Sequence, residues 1–171
     1  MGDFAACVGF TLGMEGGYSA DPNDPGNWTG GMPGQGRLLG THFGISAAAY
    51  PTLDIAQLTQ SAAEAIYRRD YWEKIQGDQL PGSVAAVVFD AAVNNGPGRA
   101  IRWLQHALGV LVDGLLGPDT LTAARDSNSQ STAQAMLLER LDFMIGLADW
   151  SQFGAGWGRR LLALAYFSAS Q

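Results

Sequence analysis

Glu15 is the residue whose type and position most clearly allow chemistry. It precedes Gly16-Gly17-Tyr18, where an amphipathic helix should end and a loop rich in Gly, Pro, Asn and Asp begins. A carboxyl at the negative end of a helix dipole, against an apolar helix face, is favoured in its protonated form. A general acid that works near neutral pH needs that proton. Glu15 is therefore a candidate general acid, and the alternative is a solvated residue at a helix end.

Asp24 is the candidate for a second carboxylate. It lies in the loop that follows, in the segment Asp21-Pro22-Asn23-Asp24-Pro25-Gly26. Cleavage of a glycosidic bond needs an acid for the leaving oxygen and a second group for the oxocarbenium-like centre or the attacking water. Asp24 should stay ionised in a polar loop while Glu15 stays protonated, which is the pattern expected of such a pair. Asp21 competes for this role, and either aspartate could instead form an Asx-turn.

The element that positions Glu15 is a helix predicted over residues 3–14. Asp3 can cap its first turn, and apolar residues recur every four positions from Phe4 to Leu12. The glycine pair after Glu15 favours a helix end over another turn. The sequence therefore predicts that the carboxyl stands at the exit of this helix.

Residues 19–45 form a long segment rich in glycine and proline, with almost no hydrophobic periodicity. A structureless loop of this length is uncommon in a compact domain and is usually functional. Pyranose rings present apolar C–H faces to aromatic rings. Tyr18, Trp28 and the more distant Trp72 are therefore candidate sugar platforms, with core packing an alternative of at least equal weight for Trp72.

Helical patterning covers the rest of the chain, and strand signals are almost absent. The only β-branched stretch, residues 110–112, is too short to found a sheet. The sequence therefore predicts an all-α fold with a site borne on a loop. Helices are predicted over 46–50 and 59–74, between Pro81 and Asn94, and over 101–108, 119–124, 132–147 and 157–168.

Asp90 and Asn94 lie four residues apart on one of these helices and therefore share a face. They could hydrogen-bond a substrate. They could equally satisfy buried backbone groups at the corner Asn94-Asn95-Gly96, and the pattern leaves both alternatives open.

Composition excludes several classes of function. The 171-residue chain has a net charge of −6 and only 10 Lys and Arg, which argues against a nucleic acid or an anionic membrane as partner. No apolar run approaches the roughly 20 residues that cross a bilayer. A single cysteine, Cys7, excludes an internal disulfide. His42 and His106 lack a matching cluster of ligand residues, so we expect neither a metal nor another cofactor.

Three segments, in this order, resemble glycoside hydrolase family 108, lysozyme-like N-acetylmuramidases found in phage and prophage endolysins. They are Glu15-Gly16-Gly17-Tyr18, Asp21-Pro22-Asn23-Asp24-Pro25-Gly26 and Thr41-His42-Phe43-Gly44-Ile45-Ser46, and residues 65–72 and 89–96 agree with them. The second half resembles the predicted peptidoglycan-binding domain that follows this catalytic region. Its matching residues are Leu104-Gln105, Asp113-Gly114, Leu116-Gly117-Pro118-Asp119-Thr120 and Gly156-Trp157.

The resemblance implies a lysozyme-like helical domain over residues 1–96, packed on a shared core with a helical peptidoglycan-binding half over residues 97–171. Glu15 matches the catalytic glutamate of the family. Related lysozymes follow the two carboxylates with a threonine that positions a water, which here implies Thr41. An apparent insertion from Asn27 to Gly40 precedes Thr41, so Thr29 stays an alternative.

The function implied is N-acetylmuramidase activity, the hydrolysis of the β-1,4 bond between N-acetylmuramic acid and N-acetylglucosamine in bacterial peptidoglycan. Two alternatives stay open: a non-catalytic wall-binding or scaffolding module, and a lytic transglycosylase, which forms 1,6-anhydro ends with one catalytic glutamate. The resemblance also implies synthesis in the bacterial cytoplasm without a visible signal peptide and action on the periplasmic wall. A phage holin or cell lysis would release the protein, which we expect to be a monomer.

Overall fold

The computed structural model describes all 171 residues of the chain. Seven α-helices and one two-stranded sheet make up its regular structure, which confirms the all-α class. The helices are α1 (Phe4–Met14), α2 (Gln60–Tyr67), α3 (Gly82–Asn95), α4 (Pro97–Leu108), α5 (Pro118–Asp126), α6 (Ser129–Ile145) and α7 (Trp150–Ala169). The strands are β1 (Thr41–His42) and β2 (Ile45–Ser46).

The chain divides into two compact units. Unit 1 comprises Met1–Cys7 and Tyr67–Gln171, and unit 2 comprises Val8–Ile66. The predicted boundary between residues 96 and 97 therefore falls inside unit 1. The reason is packing, because α3 precedes that boundary and packs against α4, α6 and α7, which follow it.

Helix α3 forms the centre of unit 1. Its first eleven residues are all buried, because neighbouring helices cover it on several sides. Phe89 on α3 meets Phe4 and Trp72 edge to face, with ring centroids 6.0 and 5.5 Å away. The start of the chain joins the same core, since the N–H of Gly2 donates to the carbonyl of Leu80 at 2.8 Å.

Unit 2 contains the end of α1, most of α2 and the segment between them, which carries the sheet. Strands β1 and β2 pair antiparallel, with Thr41 opposite Ser46 and His42 opposite Ile45. The sequence predicts a helix over residues 46–50, and the structure shows the end of β2 followed by a turn. The prediction is wrong because Ser46 is extended by its pairing with Thr41, which leaves too few residues for a helix.

Helix α2 continues into a π-helical turn over Arg68–Trp72, in which the N–H of Glu73 donates to the carbonyl of Arg68 at 2.9 Å. Together the two elements occupy most of the helix predicted over 59–74. The hydroxyl of Thr59 caps α2 by accepting the N–H of Ala62 at 3.2 Å. No helix of the chain is both long enough and apolar enough to cross a membrane.

Candidate active site

Glu15 lies directly after α1, where the sequence predicts the helix to end. Its N–H donates to the carbonyl of Leu12 at 3.2 Å, which closes the last turn, and the residue is half-buried. Gly16 and Gly17 follow, and neither of them has a positive φ. The carboxyl therefore belongs to unit 2 and stands at the carbonyl end of the helix dipole.

The segment that follows Glu15 is bonded to the strand that carries Thr41. The N–H of Ser19 donates to the carbonyl of Thr41 at 2.9 Å, and the N–H of Thr41 donates back at 2.8 Å. Because Thr41 also pairs with Ser46, its backbone is held from both sides. The structure thus brings the glutamate segment and the threonine segment together.

Asn27 links this strand to the aspartate turn, although no sequence motif marks it as a site residue. Its side chain is fully buried. The amide Nδ2 donates to the carbonyl of Asp21 at 3.0 Å, and Oδ1 accepts the hydroxyl of Thr41 at 2.7 Å. The backbone carbonyl of Asn27 accepts the N–H groups of Leu39 and Gly40, both at 3.0 Å. The only signal in the sequence is an asparagine at the start of the apparent insertion.

Asp21 and Asp24 both form the Asx-turns that are the alternative to a catalytic role. The Oδ1 atom of Asp24 accepts the N–H of Gly26 at 2.8 Å and caps a short 3₁₀ turn over Pro25–Asn27. The Oδ1 atom of Asp21 accepts both the backbone N–H and the side-chain amide of Asn23, at 2.9 and 3.0 Å. Both residues are exposed, and in each case the contacts fall on one carboxylate oxygen. The second oxygen can therefore still face a ligand.

The apparent insertion is a small hairpin of its own. Trp28 and Leu38 form an antiparallel bridge, and the N–H of Thr29 donates to the carbonyl of Arg37 at 2.9 Å. The hydroxyl of Thr29 accepts the N–H of Arg37 at 2.9 Å, and a Cβ at Gly36 would lie 2.2 Å from that hydroxyl. Thr29 thus holds the hairpin closed, which favours Thr41 over Thr29 as the site threonine.

Tyr18 and Trp28, the two sugar platforms predicted near Glu15, both lie in unit 2 with one polar atom tied to the loop backbone. The hydroxyl of Tyr18 donates to the carbonyl of Leu39 at 3.2 Å, and the residue is 47% exposed. The indole N–H of half-buried Trp28 donates to the carbonyl of Pro22 at 2.9 Å. Fixed, partly exposed rings of this kind suit stacking on a sugar face.

The turn between β1 and β2 is strained. Phe43 has φ of 51° and Gly44 has φ of 71°, so both central residues of the two-residue hairpin are left-handed. An aromatic residue rarely adopts this conformation. The ring of Phe43 stacks on His42 with centroids 4.0 Å apart, and the ring of Tyr18 meets His42 edge to face at 5.9 Å. The three rings form one cluster beside Thr41.

Trp72 is a core residue of unit 1, which favours the packing alternative over a sugar platform. The residue has 0% exposed surface. Its indole N–H donates to the carboxylate of Asp78 at 3.0 Å, and its ring meets Phe4 edge to face at 5.5 Å. A ring enclosed in this way offers no face to a ligand.

Asp90 and Asn94 also take the structural alternative. Asp90 is 1% exposed, and its carboxylate accepts from Arg140 and from Arg160, the latter at 2.7 Å. The side-chain amide of Asn94 donates to the backbone carbonyl of Asp90 at 2.7 Å. The carboxylate of Asp90 is enclosed by two guanidinium groups, which favours the structural alternative over a substrate contact for this residue.

Two other kinds of chemistry, a thiol nucleophile and a metal site, can be checked in the rest of the chain. Burial raises the pKa of the Cys7 thiol from 9.0 to about 12, with additional contributions from the charges of Asp3 and Asp90. The thiol is therefore protonated at neutral pH and is no nucleophile. No group of three His, Cys, Asp or Glu side chains is arranged to hold a metal ion.

The motif Gln105…Asp113-Gly114 in the second half is a hydrogen-bonded corner. Buried Gln105 donates to the carboxylate of Asp113 at 2.7 Å and accepts the N–H of Gly114 at 2.8 Å. The N–H of Leu115 and the amide of Gln105 hold the pKa of the Asp113 carboxyl below its ordinary value. A cavity of about 440 Å³ lies beside this corner, lined among others by Leu111, Leu115 and Asp119.

Comparisons with known proteins agree with the order of these segments. The family model described as "Glycosyl hydrolase 108" matches residues 8–96, and that described as "Predicted Peptidoglycan domain" matches residues 99–162. The first match includes every residue of the candidate site in unit 2. No curated protein matches the chain.

The solved structure of SagA from Brucella abortus is similar to almost the whole chain. It is 32% identical in sequence, and the match covers 98% of this chain and 94% of that one, with a TM-score of 0.82. The similarity therefore extends through both matched domains.

Proposed function

The chain belongs to the glycosyl hydrolase 108 family and is a peptidoglycan hydrolase, and we propose that it is an N-acetylmuramidase with Glu15 as its general acid. The bond cleaved is the β-1,4 linkage between N-acetylmuramic acid and N-acetylglucosamine. The family membership supports a glycoside hydrolase acting on peptidoglycan, and the assignment of the bond and of the acid is the proposal.

One observation carries the assignment of roles. A continuous set of hydrogen bonds runs from Ser19, just after the glutamate, through Thr41 and Asn27 to the carbonyl of Asp21. Each group that glycoside hydrolysis needs, an acid, a second carboxylate and a hydroxyl for the water, therefore lies on segments that this network joins.

The proposed reaction is a single hydrolysis. Glu15 gives its proton to the glycosidic oxygen as the bond from that oxygen to C1 breaks. A water held by Thr41 forms the new bond to C1 and passes its proton to the carboxylate of Asp24. Exchange with solvent then returns the proton to Glu15 and removes it from Asp24.

Substrate contacts in this proposal come from unit 2. The rings of Tyr18 and Trp28 would stack on sugar faces, and Asp21, with one carboxylate oxygen not used in its own turn, would accept hydrogen bonds from sugar hydroxyls or the amide of an N-acetyl group.

A lytic transglycosylase is the second candidate, favoured by the Asx-turn at Asp24. If that carboxylate only caps its turn, Glu15 acts alone and the C6 hydroxyl of the muramic residue replaces water as nucleophile. Products then end in 1,6-anhydro sugars. No observation favours the third alternative, a wall-binding module without turnover.

The test compares wild type with Glu15→Gln on purified peptidoglycan, with released fragments analysed by mass spectrometry. The exposed glutamate Glu73, in the turn after Arg68–Trp72, is changed to Gln as the control, because the substitution is identical and the site is untouched. We expect reducing N-acetylmuramic acid ends from wild type and control only. Anhydro ends would assign a transglycosylase, and sedimentation of both proteins with the wall without release would assign a binding module.

The cellular setting proposed from the family resemblance is a phage or prophage lysis system. Release through a holin and a monomeric state belong to this proposal. Lysis on coexpression with a holin and the mass in analytical ultracentrifugation are the measurements that check them.

A further inference from the structure

Asn27 has an amide side chain with 0% exposed surface, a few residues from the aspartates of the site. Burying an amide costs free energy unless its donors and acceptor are used. Each polar atom of the Asn27 amide has a partner: Nδ2 contacts the carbonyl oxygen of Asp21 at 3.0 Å, and Oδ1 contacts the hydroxyl of Thr41 at 2.7 Å. The side chain is therefore held between the aspartate turn and the threonine strand.

The carbonyl of Asp21 determines which way this amide points. A backbone carbonyl oxygen can only accept, so the amide atom that faces it must be the NH₂ group. The atom that faces Thr41 is then the amide oxygen, which can also only accept. The hydroxyl of Thr41 must therefore donate its single proton to Asn27.

A hydroxyl whose proton is committed can only accept from its other neighbours. Thr41 is half-buried, so a water can reach it, and that water must donate to the threonine oxygen. A water that donates to its holder keeps a lone pair free for attack on C1. A hydroxyl that donated to the water would occupy one of the two lone pairs of its oxygen and make that oxygen a weaker nucleophile.

We propose that Asn27 is a positioning residue that makes Thr41 a hydrogen-bond acceptor for the attacking water, and so directs the reaction to hydrolysis instead of anhydro-sugar formation. The proposal rests on the proposed function of the same site. Asn27 acts through Thr41 and is not itself a catalytic residue.

The backbone around the pair makes this orientation rigid. Thr41 is held by Ser19 on one side and Ser46 on the other, and the carbonyl of Asn27 accepts from Leu39 and Gly40 immediately before the strand. With the backbone fixed on both sides, turning either side chain away would break the 2.7 Å bond between them and leave the buried oxygen of Asn27 without this partner. The direction of the Thr41 hydroxyl is thus a property of the fold, established before any substrate arrives.

The test is the Asn27→Ala variant, assayed on soluble glycan strands for kcat, KM and the ratio of anhydro to reducing ends. Loss of a group that orients a site residue commonly lowers activity about ten- to hundredfold. We expect a fall of that size in kcat with KM unchanged, and a rise in the anhydro fraction because the C6 hydroxyl competes with a misoriented water. An unchanged kcat and end ratio in a folded variant overturn the proposal.

Two matched variants separate orientation from folding. Asn27→Asp keeps the oxygen that accepts from Thr41, so the wild-type end ratio should return even if the variant is less stable. Thr41→Val removes the hydroxyl, and combining it with Asn27→Ala should lower kcat no further than Thr41→Val alone. Multiplicative effects in the double variant contradict the proposal.

A neutron structure of the wild type keeps the proposal testable if Asn27→Ala does not fold. The deuterium on Thr41 should lie between its oxygen and Oδ1 of Asn27, and any other position overturns the proposal. Failure of the proposed function is distinguishable, because it would leave wild type and Glu15→Gln equally active or equally inactive, or would give anhydro ends from the wild type itself. Failure of the Asn27 proposal alone leaves the Glu15 result intact.

Discussion

At the scale of single residues, the two aspartates of the loop show how one side chain can serve structure and chemistry together. Asp24 caps its turn with one oxygen, and the second oxygen is not used by the turn. An Asx-turn also fixes the direction of the carboxylate, which a general base requires. The turn is therefore compatible with a role in proton transfer, and substitution can separate the two.

Asp24→Asn should lower kcat by about 10²–10⁴-fold and leave stability nearly unchanged. Asparagine accepts the N–H of Gly26 as aspartate does, so the cap remains, and only the ability to take a proton is lost. The measurements are turnover on peptidoglycan and a thermal melt. Asp21→Asn is the companion variant, and if it loses the larger share of activity, the second carboxylate is Asp21.

Because of the Cys7 thiol, the free energy of unfolding should decrease as the pH rises into the alkaline range. Its pKa is about 12 in the folded chain against an ordinary value of 9.0, so below pH 9 both states keep the proton. Between those values only the unfolded chain releases it, and stability falls by up to about 1.4 kcal/mol per pH unit. Urea unfolding at pH 8 and 10.5 should show a smaller fall for Cys7→Ala than for wild type, and parallel falls would contradict the raised pKa.

At the scale of elements, a buried ion cluster joins three helices of unit 1. The carboxylate of Asp90 on α3 accepts hydrogen bonds from Arg140 on α6 and from Arg160 on α7. Arg140 is fully buried, and its Nε and Nη2 atoms have no protein partner. The two guanidinium groups therefore share a single carboxylate as their counter-charge, and the cluster has a net positive charge.

Asp90→Asn should destabilise the protein by about 3–5 kcal/mol, because it leaves two guanidinium groups without a counter-charge in the core. Urea unfolding measures the loss. Asp78→Asn is the control, since Asp78 is exposed and pairs with Arg68 at 3.9 Å as in a surface ion pair, while asparagine can still accept the indole N–H of Trp72. A loss below about 1 kcal/mol at Asp90 would mean that the cluster contributes no more than a surface pair.

The bridge between Ser19 and Thr41 depends on a glycine. Gly40 has φ of 86°, and a Cβ there would lie 2.5 Å from the carbonyl oxygen of Ser19. Gly40→Ala should therefore lower both the melting temperature and activity, since it displaces the threonine strand. Gly13→Ala on α1 is the matched substitution: its Cβ meets nothing within 4 Å and should stabilise the helix by up to about 1 kcal/mol. If both substitutions changed the melting temperature and the activity equally, the bridge between Ser19 and Thr41 would not depend on Gly40.

At the scale of the whole molecule, the family models divide the chain after residue 96. Packing instead separates Val8–Ile66 from a unit made of Met1–Cys7 and Tyr67–Gln171. Helix α3 belongs to the first matched domain and packs on the helices of the second. A fragment of residues 1–96 should therefore expose α3 and fail to fold. Circular dichroism and limited proteolysis of the fragment check this, and a cooperative melt would show that α3 does not need its later partners.

Most helices could be predicted from the sequence because their apolar periodicity is local. The sheet could not, since two-residue strands such as Thr41–His42 have no period to detect. The ion cluster was missed because Asp90 lies 50 and 70 residues from its two arginines. Asn27 was missed for a related reason: what distinguishes it is burial, and its partner Thr41 is 14 residues away.

The joining of Met1–Cys7 to residues 67–171 determines the order in which the protein can mature on the ribosome. Gly2 and Phe4 emerge before their partners Leu80 and Phe89, and can meet them only when those have also left the exit tunnel. Residues 8–66 leave the tunnel before those partners do. The core of unit 1 therefore stays unfinished until residues 67–171 have been translated, and a chain stalled before that point is a target for proteolysis.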